Sequence, residues 1–187
     1  ENTHLRLAFK AEMNNLTLAF IRRFLVDGII YQSDFSQNWW DRVHGKASVP
    51  ANIIFNGVDL HQYTPLGEGV PPRDHYRILL VEGHLTGGHA RGIQTALRLI
   101  QSIQPKCDKP VELMVVGEVS QSLTAKINAS NKVWVNWKGI RPQDEIPTID
   151  RSAHLLFSTD INAACPNSVI EALACGVKVV IPRGVGL

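Results

Sequence analysis

An α/β fold, with parallel strands layered between helices on both faces, is what this 187-residue sequence predicts. Three observations carry the expectation. Apolar runs of strand length recur at 77–82 (RILLVE), 111–116 (VELMVV), 132–137 (KVWVNW), 153–157 (AHLLF) and 177–182 (VKVVIP). Segments of helical spacing lie between them, at 93–103, around 120–127 and at 142–150. The stretch 165–176, CPNSVIEALACG, then reads as turn, helix and stop between the last two runs, which completes a βαβ unit. An alternation of this kind places ligands at the carboxyl ends of the strands.

The elements follow in order. Residues 9–26 predict a helix from Leu16, Leu18, Ala19, Phe20, Leu25 and Val26, weakened in its front half by Asn14, Asn15 and Thr17. Asp27-Gly28 ends it, and 29–31 (IIY) is a short buried strand. Ser33 and Asp34 offer an N-cap for a helix at 35–43 that carries Trp39 and Trp40, one expected in the core and one at an edge. A sugar-stacking role for either is the lesser alternative. Residues 51–55 form a strand before the Asn56-Gly57 turn signal. From there to Tyr76, Pro65, Gly67, Gly69, Pro71 and Pro72 stand among charges without periodicity, the composition of a linker. In the last helix Pro166 is expected at the first position, Val169, Ala172 and Leu173 toward the sheet, and Gly176 as the stop.

Composition bounds the function. With 44% hydrophobic residues the chain can bury one sizeable core or two small ones, and a formal charge of +2 without runs of one sign gives nothing that points to nucleic acid or to an anionic membrane surface. Cys107, Cys165 and Cys175 lack metal-ligand spacing and suit a reducing, cytoplasmic compartment. No apolar run approaches the roughly 20 residues of a membrane span; peripheral contact with the inner face of a membrane stays open. The start without Met and the close on RGVGL just after a strand read as the ends of a fragment.

Three loops are expected to meet at the strand ends: GHLTGGHARG after 77–82, GEVSQ after 111–116, and STDINAACPN after 153–157. Gly83, Gly87, Gly88 and Gly92 do not fit the dinucleotide fingerprint, and no acidic residue follows at its distance. They let backbone approach a ligand, with His84, His89 and Arg91 as partners for phosphate oxygens. The helix start near Pro166 offers unpaired N–H groups and a positive dipole end beside the Glu171 carboxylate, which suits a diphosphate and a ribose hydroxyl held together. An ordinary βα loop and a solvated glutamate are the plainer readings of the same residues.

Two stretches carry a resemblance to a family. FNGVDLHQYTP at 55–65 resembles the asparagine-glycine-valine-aspartate segment that leaves the N-terminal domain of family-four GT-B glycosyltransferases, and CPNSVIEALACG resembles their donor-binding helix. RILLVEGH, LMVVGE, VNWKG and HLLFSTD fall between them in the family's order, so the resemblance runs from about Ile29 to the end. It implies two Rossmann-like domains of GT-B type: 1–57 as the end of an N-terminal, acceptor-side domain, 58–76 as linker, and 77–187 as an incomplete nucleotide-sugar-binding domain. It implies transfer of a hexose from a nucleotide-diphosphate sugar to a saccharide or lipid-linked acceptor, with retention and without a metal or other cofactor.

By the same resemblance Glu171 takes the ribose hydroxyls and the backbone of Asn167, Ser168 and Val169 meets the diphosphate. Gly83 and Gly117 let the loops approach the phosphates. The family's loop lysine falls on His89 by straight counting, or on Arg91 if two residues are inserted, and Arg91-Gly92 leading directly into a helix favours Arg91. The sequence departs from the pattern where His84 replaces an arginine and where Ala163 replaces an acidic residue eight positions before Glu171. Asp160 is one substitute for that acid, although a loop cap suits it better. No catalytic residue is assigned. Two rivals remain: a GT-B relative that binds nucleotide without transfer, and an unrelated nicotinamide-dependent oxidoreductase.

Overall fold

The computed structural model describes residues 2–85, 90–130, 132–161, 163–183 and 186. The chain divides into two compact units, one holding Glu1–Asn56 with Gly186–Leu187 and the other Gly57–Val185.

The first unit contains α1 (Asn2–Phe24), β1 (Ile29–Tyr31), α2 (Asp34–His44) and β2 (Ala51–Ile53). The two strands pair in parallel, Ile29 opposite Ala51. Ser33 caps α2: its hydroxyl accepts from the Ser36 N–H, and its own N–H donates to the Ser36 hydroxyl. The unit is tied together by Arg22, only 9% exposed, whose guanidinium donates to the Tyr31 hydroxyl at 2.8 Å, the Gly45 carbonyl at 2.7 Å and Asp41 at 2.6 Å. Neither tryptophan is in a core. Trp39 and Trp40 are both half-buried, edge to face at 5.2 Å, and the His44 ring lies 5.0 Å from that of Trp40. A helix of eleven residues packed on a two-stranded ribbon has too little interior to bury an indole.

The second unit is a five-stranded, all-parallel sheet. Its strands are β3 (Tyr76–His84), β4 (Val111–Glu118), β5 (Trp134–Gly139), β6 (Leu155–Phe157) and β7 (Lys178–Val180). Its helices are α3 (Ala90–Ile103), α4 (Gln121–Ser130), α5 (Ile146–Arg151) and α6 (Asn167–Ala174). The spatial order is β5-β4-β3-β6-β7. Alternate residues of the central strands feed two cores. Ile78 and Leu80 pack with Ile93, Leu97 and Ile100 of α3, whereas Leu79 packs with Ile146 of α5 and Val169 and Ala172 of α6. Helices therefore cover both faces, as the strand–helix alternation predicts.

Several elements differ from the sequence expectation. Gly83 and His84 are the end of β3 rather than a loop, because pairing with β4 resumes at His84 opposite Glu118 after a register shift. Gly117 likewise lies inside β4. The expected helix at 142–150 is a 3-10 turn, Gln143–Glu145, followed by α5. Pro166 is the N-cap of α6, with extended backbone at φ −75° and ψ 103°, and not its first residue. Leu173 is 49% exposed, while Val169, Ala172 and Cys175 form the buried face. Gly176 does stop the helix, at φ 77°: its N–H donates to Leu173 O and that of Val177 to Ala172 O, which satisfies two terminal carbonyls.

The segment 57–75 belongs to the second unit. Tyr63 is 2% exposed in the α5/α6 core, and the Arg151 guanidinium donates to the carbonyls of Thr64 at 3.0 Å and Glu68 at 2.6 Å. At the amino ends of the strands, buried Glu112 accepts from Arg77, from Asn136 at 2.7 Å and from the His75 ring at 3.1 Å. Burial opposes ionisation of Glu112, yet the bonds from Arg77 and Asn136 hold its carboxyl below the usual range.

Candidate functional site

β3 and β6 are neighbours although β4 and β5 separate them in the chain, so the strand order reverses between them. The connections from the two strands then leave in opposite directions and open a crevice at their carboxyl ends. β3, β6 and the helices that follow them carry several of the residues singled out from the sequence.

From β3 comes Gly83, exposed, with open space where a side chain would stand. Ligand backbone approach is unobstructed at that point. His84 closes the strand, and the next residue, Leu85, is fully buried with its N–H bonded to Glu118 O at 2.8 Å. Gly87, Gly88 and His89 lie outside the described residues. Arg91 is exposed in the first turn of α3. Beside it Gly92 abuts the exit of β6, since a Cβ there would stand 2.3 Å from Thr159 Oγ1.

Gly117 has a different physical reason to be glycine. Its φ is 136°, and a Cβ would lie 1.8 Å from the carbonyl oxygen of Glu82. The residue lets β4 close on the end of β3, which shapes the crevice from below.

α6 starts from the β6 exit loop. Asn167 is exposed and Ser168 half-buried, while the Val169 side chain is fully buried in the core. The Val169 N–H donates to Pro166 O at 3.0 Å, so the helix-start donor expected of Val169 is already engaged in the helix entry. Ala163 is half-buried in the loop before the helix.

Glu171 is half-buried on α6, and its surroundings were not foreseen. Burial pushes its carboxyl above the ordinary value, against the pull of the neighbouring Tyr63 hydroxyl. Asp150, from α5, is 1% exposed; burial and then the Glu171 charge push it up to about 7, with Arg151 acting in the other direction. Burial followed by the Glu171 charge also raises Tyr63. Both Asp150 oxygens are buried without a hydrogen-bond partner among the described residues. One sequence signal could have found Asp150: it stands four residues after Ile146, on the helix face that Ile146 turns inward. Among the described residues no group of histidine, cysteine and carboxylate side chains is arranged to hold a metal ion.

The comparisons with known proteins fall on the same unit. Residues 76–187 match the family model described as "Glycosyl transferases group 1". The chain belongs to this family.

The fold is of GT-B type. Sucrose-phosphate synthase from Thermosynechococcus elongatus superposes with a TM-score of 0.69 at 19% identity, over 94% of this chain and 45% of that one. Trehalose-6-phosphate synthase OtsA gives 0.63 at 12% identity, over 86% and 46%. The apo form of the lipopolysaccharide outer core galactosyltransferase WaaB gives 0.58 at 15% identity, over 87% and 44%. The group 1 chain thus spans less than half the length of the structures it matches. Among curated proteins none matches it. Among the described residues no helix is long and apolar enough to cross a membrane.

Proposed function

We propose that the chain is part of a glycosyltransferase that moves a hexose from a nucleotide-diphosphate sugar to a saccharide or lipid-linked acceptor with retention, in the manner of family four. Residues 77–187 hold the donor, 58–76 are the crossing, and 1–57 are the end of an acceptor-side domain. The observation that carries the reading is the contact of Gly92, at the start of α3, with Thr159 at the exit of β6, beside the β3/β6 reversal and within the residues of the family match.

In this reading Glu171 accepts the ribose hydroxyls, and Gly83 and Gly117 leave room for the phosphates. Arg91, His84 and the α6 backbone at Asn167 and Ser168 face the diphosphate. When the bond from the anomeric carbon to the diphosphate breaks and one to the acceptor hydroxyl forms, negative charge grows on the departing diphosphate. Helix starts and a guanidinium stabilise that charge where it develops, without calling on a metal. The enzyme works on the cytoplasmic side, against the inner face of a membrane when its acceptor is lipid-linked.

Calorimetric titration with UDP, GDP, ADP and NAD tests the reading. Binding of one nucleoside diphosphate that Glu171→Ala weakens by about 1–3 kcal/mol, the range for a lost bond to a charged group, supports it. Binding of NAD alone would move the chain to oxidoreductases, and an unchanged affinity in Glu171→Ala would remove the ribose assignment. A second reading, nucleotide binding without transfer, is favoured by Ala163, where the resembling family carries an acid. Turnover of a sugar nucleotide by the longer protein would eliminate it.

A further inference from the structure

Glu171 is one member of a cluster built from three segments. Tyr63 reaches it from the 57–75 segment and Asp150 from α5, and both Asp150 oxygens are buried and without a hydrogen-bond partner among the described residues. Among the described residues the charges acting on Asp150 are Glu171 of α6 and Arg151 beside it, and the Asp150 charge in turn raises Tyr63 and Cys175. Arg151 spends its guanidinium on the carbonyls of Thr64 and Glu68, and among the described residues no cation bonds to the Asp150 carboxyl.

We infer that Asp150 is a positioning residue for Glu171: a buried, unpartnered acid in the same cluster, whose protonated form leaves Glu171 the carboxylate directed to a ligand's hydroxyl pair. The inference rests on the nucleotide reading of Glu171. A carboxylate in this place would be buried without a donor and beside a second carboxylate, and both circumstances favour the protonated form. Burial and the Glu171 charge accordingly raise Asp150 to about 7. Above that pH a second negative charge joins that of Glu171 in the cluster and opposes an anionic ligand.

The test measures dissociation constants of the 187-residue chain for UDP, GDP and ADP from about pH 6 to about pH 9, in wild type, Asp150→Asn and Glu171→Gln. Wild-type affinity is expected to fall about tenfold further than that of Asp150→Asn across neutrality, the equivalent of one pKa unit of coupling, since the ligand's own phosphate titrates alike in both. Identical pH profiles for wild type and Asp150→Asn would overturn the inference.

Thermal stability against pH gives a readout that needs no ligand. A carboxyl raised in the folded state contributes stability that is lost as pH rises from its unfolded value, about 4, to its folded value. The wild-type midpoint should therefore decline up to about pH 7. The decline should vanish in Asp150→Asn and become shallower in Glu171→Gln. Should no nucleotide bind, the nucleotide reading fails, and this second measurement decides the coupling alone. A decline that survives Asp150→Asn, or that Glu171→Gln leaves unchanged, overturns it.

Discussion

Gly92 is in contact with Thr159: a methyl group on the first would stand 2.3 Å from the hydroxyl oxygen of the second. The start of α3 and the exit of β6 therefore touch at the strand-order reversal, with no room for a side chain between them. Gly92→Ala should cost about 1–3 kcal/mol, the range for overpacking, because the Thr159 side chain or the backbone beside it must move. Thr159→Ala removes the opposing hydroxyl, so the double variant should recover most of the loss. Denaturant melts of both single variants and the double variant check this through the coupling energy.

Arg91 should be felt by phosphate and hardly by base. Arg91→Ala is expected to weaken a nucleoside diphosphate by about 1.5–3 kcal/mol, the range for hydrogen bonds to charged groups. The free nucleoside should lose little. Equal losses for both would mean that Arg91 supports α3 and not the ligand.

Glu112 should govern acid stability. Its carboxyl is held below the usual range, so the stability it supplies is present above the unfolded value of about 4.3 and is lost as pH falls through the lower folded value. Glu112→Ala leaves Arg77, His75 and Asn136 without their shared acceptor and should cost about 3–5 kcal/mol, the range for breaking a buried pair. Glu112→Gln should flatten the acid limb. Urea melts at pH 7 and at acid pH would show an unaltered limb if the network carries no charge-dependent stability.

Arg22 should act on the first unit alone. Arg22→Met keeps most of the side-chain volume and deletes the bonds to Tyr31, Gly45 and Asp41. A loss of about 1.5–3 kcal/mol is expected, with amide-exchange protection falling in residues 2–56 and unaffected around β3 and β4. A loss of protection shared by both units would mean that Arg22 does not act on the first unit alone.

The layered sheet was legible because its strands carry unbroken apolar runs, and Leu79, Leu80, Leu113 and Val115 are indeed almost fully buried. Gly176 was legible because a helix stop needs a residue at positive φ. The ends of elements were harder to read. Gly83 and His84 look like loop residues, and only pairing with Glu118 keeps them in β3. Leu173 is apolar and still faces out, since burial of Val169, Ala172 and Cys175 fixes the rotation of α6 and carries position 173 off that face. Tyr63 and Asp150 could not be placed beside Glu171 from local pattern. One comes from a segment without periodicity, and the other is an acid that ordinary solvation would put outside.

The β3/β6 reversal also sets an order of events in folding. Ile78 and Leu79 of β3 pair with Leu113 and Met114 on one side and with Leu155 and Leu156 on the other. The first pairing closes a loop over one crossover, while the second spans three crossovers and carries the larger entropic cost. The crevice is thus the latest seam of the sheet to be sewn, and interactions that form late act mainly on the rate of unfolding. A molecule seated between Gly83 and Thr159 would hold that seam shut, lengthening the lifetime of the native state more than it hastens its formation.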